Sequence, residues 1–392
     1  MKTIAYNGRV IAPGTAPETG YVAAADGIIE KVGTGDPPET PGAEMIDARG
    51  GWIAPGLVDI HTHGFGGHWG FFKADELLDM ASALPARGVT AFVPTTVSLP
   101  HPAVLGAVKA VKSAMASQAE NASEAPAGAR VLGVNIEGPY INPAKGGAHI
   151  PSAIRPAPEK EVEEILSEAG PALLMMTLAP EIAGGMELID KLVAAGVLPV
   201  VGHSDATAAQ THEAARRGAT HFTHLFNAVR AFHQREPGCA FAALADPAMT
   251  VELILDGKHV HIDAAKIAFA LKSADRMALV TDSIHAAGMP DGEYDVWGFK
   301  VNVKDGVCAI PNGTMAGSVL TLDVAVKNAV ELLGAAPEEA FRMASLTPAR
   351  IIGRAGALGS LQPGKAADIA VFDEAFNCAA TIISGRIVHR AE

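Results

Sequence analysis

The chain is poor in cysteine, in charged residues and in long apolar runs. Its 392 residues include three cysteines, Cys239, Cys308 and Cys378, and no two of them have the Cys-X-X-Cys spacing. This pattern excludes a disulfide scaffold and a thiolate zinc site, and it indicates reduced thiols with structural roles. No apolar run reaches membrane-spanning length, and the segment Met1–Gly8 is too short for a secretory signal. We therefore expect a soluble cytoplasmic protein without a membrane partner.

Basic residues are scarce relative to acidic ones. The chain has 30 Lys and Arg against 43 Asp and Glu, which gives a formal net charge of −13. A nucleic-acid surface needs clustered cations to neutralise phosphates, so this balance argues against a nucleic-acid partner. An anionic substrate would have to be held by a few local groups.

What the chain does have is enough apolar sequence for a large core. It is 49% hydrophobic and 19% charged, and its length suits one α/β barrel with a smaller appendage. Residues 1–56 predict short strands of a small β domain. Residues 57–346 alternate apolar strands with Ala-rich helical stretches, which predicts a parallel sheet closed into a barrel. Residues 347–392 predict a connecting helix, with Thr347 as its N-cap, and return strands of the β domain.

The predicted fold class is therefore α/β. We expect a (β/α)8 TIM-like barrel with a small β-sandwich domain built from both chain ends.

Two histidines flank a single threonine in Leu57-Val-Asp-Ile-His-Thr-His-Gly64. Because side chains alternate along a strand, His61 and His63 point the same way. Two neutral imidazoles that converge on one point suggest a metal ion. For an isolated His-X-His motif, a pair of core or rim histidines is the alternative.

Further donors occur where other predicted strands end, at Glu137, His203, His224 and Asp282. In a (β/α)8 barrel the carboxyl ends of the strands share one face, so residues distant in sequence can meet around one ion. Glu137, His203 and His224 would form a mixed nitrogen and oxygen ligand set, as in a catalytic metal site. Asp282 would accept a proton from water and pass it to the leaving group. Taken singly, each has a simpler interpretation as a satisfied buried group or a strand-end cap, and only their joint placement favours a site.

Longer strings resemble the metal-dependent amidohydrolase superfamily, namely Ile53-Ala-Pro-Gly-Leu-Val-Asp-Ile-His-Thr-His63 and Gly364-Lys-Ala-Ala-Asp-Ile-Ala370. Within it, the chain resembles the N-acetylglucosamine-6-phosphate deacetylases over nearly its whole length. The motifs that carry this resemblance are Glu137-Gly-Pro-Tyr140, Gly202-His-Ser-Asp-Ala-Thr207, Thr223-His-Leu-Phe-Asn-Ala228, Arg235-Glu-Pro-Gly238 and Asp256-Gly-Lys-His259. They occur in the order that the family has.

The resemblance implies that Glu137, His203 and His224 hold the principal divalent ion. It implies that Asp282 is the general base and then the acid. It also implies that His149, in Gly146-Gly-Ala-His149, polarises the substrate carbonyl and stabilises the oxyanion. From the residues alone, His149 is a loop histidine.

The family match also implies a phosphate site. Asn227, Ala228, Arg235 and His259 match the positions that bind the sugar phosphate, and a guanidinium suits that bidentate role. Because some phosphate contacts in this family come from a neighbouring subunit, a homodimer is expected.

The number of metal ions follows from the first strand. Family members that keep the histidine pair can hold two ions bridged by the glutamate, and this chain keeps His61 and His63. We expect one divalent ion, Zn²⁺ before Fe²⁺ or others, and leave open a second, weaker site. A second His-X-His motif, His259-Val-His261, competes on spacing alone, but the resemblance makes His259 a substrate contact and leaves His261 structural. His285 receives no role.

The function implied is hydrolysis of the acetamide of N-acetyl-D-glucosamine 6-phosphate to glucosamine 6-phosphate and acetate, in amino-sugar catabolism. N-acetylgalactosamine-6-phosphate deacetylation would use the same groups and stays open. Cyclic-amide hydrolases and nucleobase deaminases do not account for a phosphate clamp at Arg235 and His259. A non-catalytic barrel relative that acts as a binding protein is the alternative from another class.

Overall fold

The structure, a computed structural model, describes residues 2–120 and 128–391. Its strands are β1 (Lys2–Val10), β2 (Glu18–Ala25), β3 (Ile28–Thr34), β4 (Glu44–Asp47), β5 (Trp52–Pro55), β6 (Leu57–Thr62), β7 (Gly64–Phe65), β8 (His68–Trp69), β9 (Val89–Pro94), β10 (Arg130–Val131), β11 (Val134–Glu137), β12 (Leu173–Leu178), β13 (Leu198–Val201), β14 (His221–Phe222), β15 (Thr250–Leu253), β16 (Met277–Leu279), β17 (Gly292–Val296), β18 (Phe299–Lys304), β19 (Val307–Ala309), β20 (Ile369–Phe372), β21 (Cys378–Ile383) and β22 (Arg386–Arg390). Its α-helices are α1 (Ala74–Ala83), α2 (His101–Glu120), α3 (Glu159–Ala169), α4 (Gly185–Ala194), α5 (Ala208–Arg216), α6 (Gly238–Ala245), α7 (Ile262–Arg276), α8 (Leu322–Asn328), α9 (Pro337–Met343) and α10 (Leu346–Ile351).

Strands from both chain ends share one mixed sheet. Its order is β22-β21-β20-β5-β1-β2-β3, and β4 also pairs with β1. The joining strand is β5, which is parallel to β1 and antiparallel to β20. Buried apolar residues of this sheet, among them Val22, Ile53 and Ile382, form a core of their own.

Parallel strands of the middle region form a curled sheet in two hydrogen-bonded runs. The first run has the order β10-β9-β6, and the second runs from β11 to β16 in chain order. A parallel bridge between Thr95 and Asn135 links the two runs. The strands are almost wholly buried, as expected when helices cover a parallel sheet, and β9 is buried at every residue.

The carboxyl ends of these strands lie at one edge. Beyond β16, the backbone N–H of Asp282 donates to the carbonyl oxygen of His61 over 2.8 Å, and the N–H of His63 donates to that of Ser283 over 2.9 Å. The segment after the last strand is thus tied to the first strand. Side chains at these strand ends are thereby brought together.

A small antiparallel sheet of β17, β18 and β19 follows the last parallel strand. Trp297 lies in the tight turn between β17 and β18, with a φ of 54°. Its ring centroid is 5.4 Å from that of His63. The hairpin therefore carries an aromatic side chain to the edge where the strand ends meet.

One predicted boundary is wrong. Helix α10 begins at Leu346 with Ser345 as its N-cap, two residues before the predicted cap. The hydroxyl of Thr347 donates instead to the carbonyl oxygen of Ala274 over 2.6 Å, so it ties α10 to α7 and caps nothing. Among the helices that the structure describes, none is both long and apolar enough to cross a bilayer.

Candidate metal centre and active site

Three predicted ligands meet at the carboxyl edge of the parallel sheet. Oε1 of Glu137, the last residue of β11, is 2.9 Å from Nε2 of His224 and 3.2 Å from Nε2 of His203. The two imidazole nitrogens are 3.0 Å apart. All three side chains are buried. The sequence prediction that these residues converge agrees with this geometry.

A second group of donors lies beside the first. Nε2 of His63 is 3.0 Å from Oδ1 of Asp282, and Nε2 of His61 is 3.5 Å from the same oxygen. Each of these nitrogens is also 3.6 Å from an oxygen of Glu137. The Glu137 carboxylate therefore lies between the two groups.

The donor spacing fits a divalent ion. A tetrahedral ion whose ligand atoms lie 2.0–2.1 Å away keeps those atoms roughly 3.3 Å apart. The three spacings among Glu137, His203 and His224 are shorter than this by a few tenths of an ångström. Neutral nitrogen and carboxylate oxygen are donors that Zn²⁺ and Fe²⁺ accept.

Hydrogen bonds on the far side of the rings fix which nitrogen faces the cluster. Nδ1–H of His63 donates to the carbonyl oxygen of Thr95 over 2.9 Å, and Nδ1–H of His203 donates to that of Lys145 over 2.8 Å. Because a carbonyl oxygen only accepts, the proton lies on Nδ1 and the lone pair of Nε2 faces inward. This is the orientation of imidazoles that bind a metal.

His149 has the opposite tautomer. Its Nδ1 accepts from the backbone N–H of Ser98 over 2.9 Å, so the ring proton lies on Nε2. Nε2 is 3.3 Å from Oε2 of Glu137. Burial, together with the nearby His203, lowers the pKa of His149 to about 4, so the imidazole is neutral. His149 therefore presents an N–H donor to the cluster, although it is close enough to Glu137 and His203 to be grouped with the ligands.

Both carboxylates of the cluster are ionised. Burial alone would raise the pKa of the Glu137 carboxyl, but the His61 and His203 imidazoles hold it well below its ordinary range. Burial likewise opposes ionisation of Asp282, but the neighbouring His63 and His61 imidazoles lower the pKa of that carboxyl. Ionised carboxylates are the form that a metal ligand or a general base requires.

Three site residues have left-handed backbone conformations. The φ angle is 46° at His203, 22° at His224 and 50° at Asp282. Residues other than glycine rarely adopt such angles, and the strain is of order ~1–3 kcal/mol each. The sharp turn just after each strand aims the side chain at the cluster.

A cavity of ≈ 440 Å³ opens from the cluster to solvent. Three of the predicted phosphate residues, Asn227, Ala228 and His259, line it. His259 donates through Nδ1–H to Oδ2 of Asp256 over 2.6 Å. Burial opposes protonation of His259, but the bond with Asp256 raises its pKa above the ordinary value. The imidazole that faces the cavity therefore keeps its second proton to a higher pH than an ordinary histidine.

Arg235 is not brought into this cavity. It lies in the segment between β14 and α6, its side chain is exposed, and it is absent from the cavity lining. The cavity lining thus includes Asn227, Ala228 and His259 but not Arg235.

Several residues around the cavity were not predicted. Lys145, Phe226 and Trp297 are among those that line it. They come from loops, whose side-chain directions follow no sequence period. Another unpredicted residue, Glu252, contacts the outer side of His61. Its signal was a single carboxylate within the otherwise apolar string Val251-Glu-Leu-Ile-Leu255.

The remaining histidines near the cluster have other contacts. His285 packs against Trp69, with ring centroids 4.2 Å apart and the ring planes tilted by 36°, and it does not line the cavity. His261 is the N-cap of α7 and accepts from the N–H of Asp263 over 3.2 Å. It is therefore structural, and the His259-Val-His261 motif is not a metal pair.

Several known proteins with similar sequences are named as deacetylases of N-acetylated amino-sugar phosphates. The sequence profile described as the amidohydrolase family matches residues 52–388. The chain is 38% identical to the N-acetylgalactosamine-6-phosphate deacetylase of Escherichia coli O157:H7, over 86% of this chain and 87% of that protein. It is 34% identical to the N-acetylglucosamine-6-phosphate deacetylase of Bacillus subtilis strain 168, over 94% and 93% of the two chains.

A solved structure agrees with the fold. A mutant of N-acetyl-D-glucosamine-6-phosphate deacetylase from Mycobacterium smegmatis, in complex with N-acetyl-D-glucosamine 6-phosphate, superposes with a TM-score of 0.88 and 31% identity, and 99% of each chain is covered. With the profile match and the similarity over most of its length, the chain belongs to the amidohydrolase family.

Proposed function

We propose that this protein hydrolyses the acetamide of N-acetyl-D-glucosamine 6-phosphate and releases acetate and glucosamine 6-phosphate. The observation that carries the proposal is the convergence of Glu137, His203, His224 and Asp282 at the base of one cavity. The relatives named as deacetylases of this substrate, and the similar structure that contains it, support the choice of sugar phosphate.

Glu137, His203 and His224 would hold the principal ion, with Zn²⁺ the first expectation and Fe²⁺ next. His61 and His63 would hold a second ion, with Glu137 as the bridging carboxylate. The divalent ion, when bound, supplies a Lewis acid and lowers the pKa of water. The inward-facing Nε2 lone pairs and the intermediate position of Glu137 support this assignment.

Asp282 is the proposed general base. Its ionised carboxylate takes a proton from the attacking water. The water oxygen then forms a bond to the acetamide carbon. The same carboxyl group returns the proton to the departing amine as the carbon–nitrogen bond breaks. Burial among imidazoles keeps Asp282 out of bulk water and in reach of both atoms.

His149 is the proposed donor to the carbonyl oxygen. As that oxygen gains negative charge in the tetrahedral intermediate, Nε2–H of His149 can donate to it. Ser98 accounts for the tautomer, because its N–H occupies Nδ1.

The phosphate group would be bound by the Asn227 side chain, the backbone N–H of Ala228 and the His259 imidazole. We propose that Arg235 completes this site in the partner subunit of a homodimer. The exposure of Arg235 outside its own cavity supports this arrangement. The phosphate end would then be shared between two chains.

The galactosamine epimer is the second candidate substrate. It is favoured by the 38% identity to the deacetylase of N-acetylgalactosamine 6-phosphate from Escherichia coli O157:H7. The two sugars differ at one hydroxyl, and both use the same metal, base and phosphate groups. Comparing kcat/KM on the two epimers decides between them.

We also propose a complete fold and a cellular location for the protein. The parallel strands would close into a (β/α)8 barrel over residues 57–346, and residues 1–56 and 347–392 would form one β-sandwich domain. The bridge between the two parallel runs and the bonds that tie the last strand to the first support closure. A cytoplasmic location rests on the unpaired cysteines.

The test is acetate release by the metal-loaded protein. We expect turnover of N-acetylglucosamine 6-phosphate and a much lower kcat/KM with unphosphorylated N-acetylglucosamine. Turnover of neither compound, in protein that has bound metal, would leave the non-catalytic binding protein as the better interpretation.

A further inference from the structure

A buried carboxylate lies behind the metal centre. Glu252 belongs to β15, between Val251 and Leu253, and it is fully buried. A lone carboxylate in a buried strand is costly to desolvate unless it is hydrogen-bonded on every side. Its partners therefore indicate why this strand carries a charge.

One oxygen of Glu252 reaches both halves of the cluster. Oε2 accepts from Nδ1–H of His61 over 2.9 Å and from the backbone N–H of His224 over 3.0 Å. The hydroxyl of Thr223 donates to the same oxygen over 2.8 Å. Glu252 thus contacts the ring of a residue on β6 and the backbone of one just after β14.

The other oxygen is held by a second histidine. Oε1 is 3.1 Å from Nε2 of His221, whose Nδ1 is 2.7 Å from the hydroxyl of Thr250. His221 is fully buried, and it does not line the cavity. The carboxylate is therefore fixed from both sides and cannot rotate freely.

The bond to Glu252 decides the tautomer of His61. With the proton on Nδ1, the lone pair of Nε2 faces Glu137 and Asp282. Within residues 2–120 and 128–391, this buried Nε2 has no hydrogen-bond partner. A buried imidazole held from behind, with an unpartnered nitrogen in front, is the arrangement of a metal ligand.

His224 is held differently. Its Nδ1 has no hydrogen-bond partner in the part of the chain that the structure describes, so no ring bond on the outer side orients it. Its backbone N–H donates to Glu252 over 3.0 Å, so Glu252 holds this residue through its main chain. The same carboxylate therefore sets the spacing between His61 and His224, whose ring centroids are 5.5 Å apart.

We propose that Glu252 is a positioning residue of the metal centre, which presents Nε2 of His61 to the ion and holds the His61 and His224 halves in register. This inference rests on the proposed metal site. Glu252 touches neither substrate nor ion in this arrangement, and it acts through the two histidines.

The experiment measures metal affinity of the full-length protein. Wild type, Glu252→Gln and Glu252→Leu are stripped with a chelator and titrated with Zn²⁺ against a fluorescent competitor. Bound metal is then counted by elemental analysis. Loss of a second-shell partner typically weakens metal binding ~10- to 100-fold. We expect Glu252→Leu at the upper end, and a smaller loss for Glu252→Gln, whose amide oxygen can still accept from His61.

The matched control is Asp368→Asn. Asp368 is a buried carboxylate that pairs with Arg130 far from the cluster, so its loss affects folding stability alone. We expect Asp368→Asn to keep the wild-type metal content and affinity. If Glu252→Leu does not fold, the Gln variant alone decides.

Two different results would refute the role of Glu252 and the proposed deacetylase function. Wild-type metal content and affinity in the folded Glu252 variants would overturn the role of Glu252, whether the wild type holds one ion or two. Acetate release separates this from the proposed function, because a wild-type protein without turnover refutes the deacetylase assignment whatever Glu252 does.

Discussion

The two ends of the cavity are built differently. At the metal end, the donor atoms are buried, and the imidazoles of His61, His63 and His203 are each fixed from behind by a hydrogen bond. At the opposite end, Asn227 and His259 are only partly buried, and Arg235 lies in solvent outside the cavity.

The two ends differ in which residues would provide the chemistry and which would bind the substrate. The donors of the proposed metal site all come from one chain, because strand ends fix them in place. The phosphate end has fewer fixed groups and lacks its guanidinium. We therefore expect chemistry to depend on single side chains and substrate affinity to depend on the assembly.

Removing the metal should have the largest effect on acetate release. Dialysis against a chelator should reduce acetate release to near the uncatalysed background, because the bound ion would supply the Lewis acid that lowers the pKa of the attacking water. Acetate release, measured by the same assay, should return when Zn²⁺ is added back. Full activity in protein shown by elemental analysis to hold no metal would contradict the metal-centre assignment.

Asp282→Asn should have the next largest effect. The amide cannot accept a proton from water, so kcat should fall at least ~100-fold, the usual contribution of a general base. KM should change little, since Asp282 is at the metal end. Elemental analysis of the variant serves as the control, because a parallel loss of metal would mean that the carboxylate acts as a ligand and not as the base.

Arg235→Ala tests the phosphate end. Hydrogen bonds to charged groups contribute about 1.5–3 kcal/mol, so KM for the phosphorylated sugar should rise ~10- to 100-fold with kcat nearly unchanged. Arg235→Lys should lie between, because an ammonium lacks the bidentate fork. Steady-state kinetics on unphosphorylated N-acetylglucosamine provides the control, where the variant should equal the wild type.

Mixed dimers sharpen this prediction. Refolding Asp282→Asn together with Arg235→Ala in equal amounts gives hybrids in which one site has both an intact base and an intact partner arginine. About a quarter of wild-type activity should reappear at low substrate if Arg235 acts across a two-fold interface. No recovery would assign Arg235 to its own chain or to no site.

The smallest expected effect is a pH dependence of affinity. Asp256 raises the pKa of His259 above its ordinary value, so the imidazole is cationic below that raised pKa and loses its charge as the pH rises through it. KM for the phosphorylated sugar should therefore increase several-fold from neutral to alkaline pH, by loss of one charge-assisted hydrogen bond. His259→Asn should remove this dependence, and a KM profile identical to that of the wild type would exclude His259 from phosphate binding.

The metal end could be predicted from sequence, and the phosphate end only in part. Parallel strands end at one edge, so a donor at each strand end converges with the others, as Glu137, His203 and His224 do. No such rule positions a loop, and the spacing of Arg235 gives no indication that its side chain leaves its own cavity. Only the structure shows that Arg235 is exposed and absent from the cavity lining.

Two further residues illustrate what sequence patterns miss. Glu252 interrupts an apolar strand, and only its contact with His61 shows that the interruption belongs to the metal centre. Trp297 reaches the cavity because the β17–β18 hairpin folds over the sheet edge, which no local pattern predicts. In both cases the residue belongs to the site through contacts with residues that are distant in sequence.

The left-handed backbone at His203, His224 and Asp282 has a consequence for heat resistance. Asparagine tolerates that conformation better than most side chains, and glycine adopts it freely. Asp282→Asn keeps a side chain that this conformation tolerates, so the slow Asn variant should melt no lower than the wild type. The turns that aim the reactive groups thus carry a conformational cost that packing elsewhere in the fold must offset.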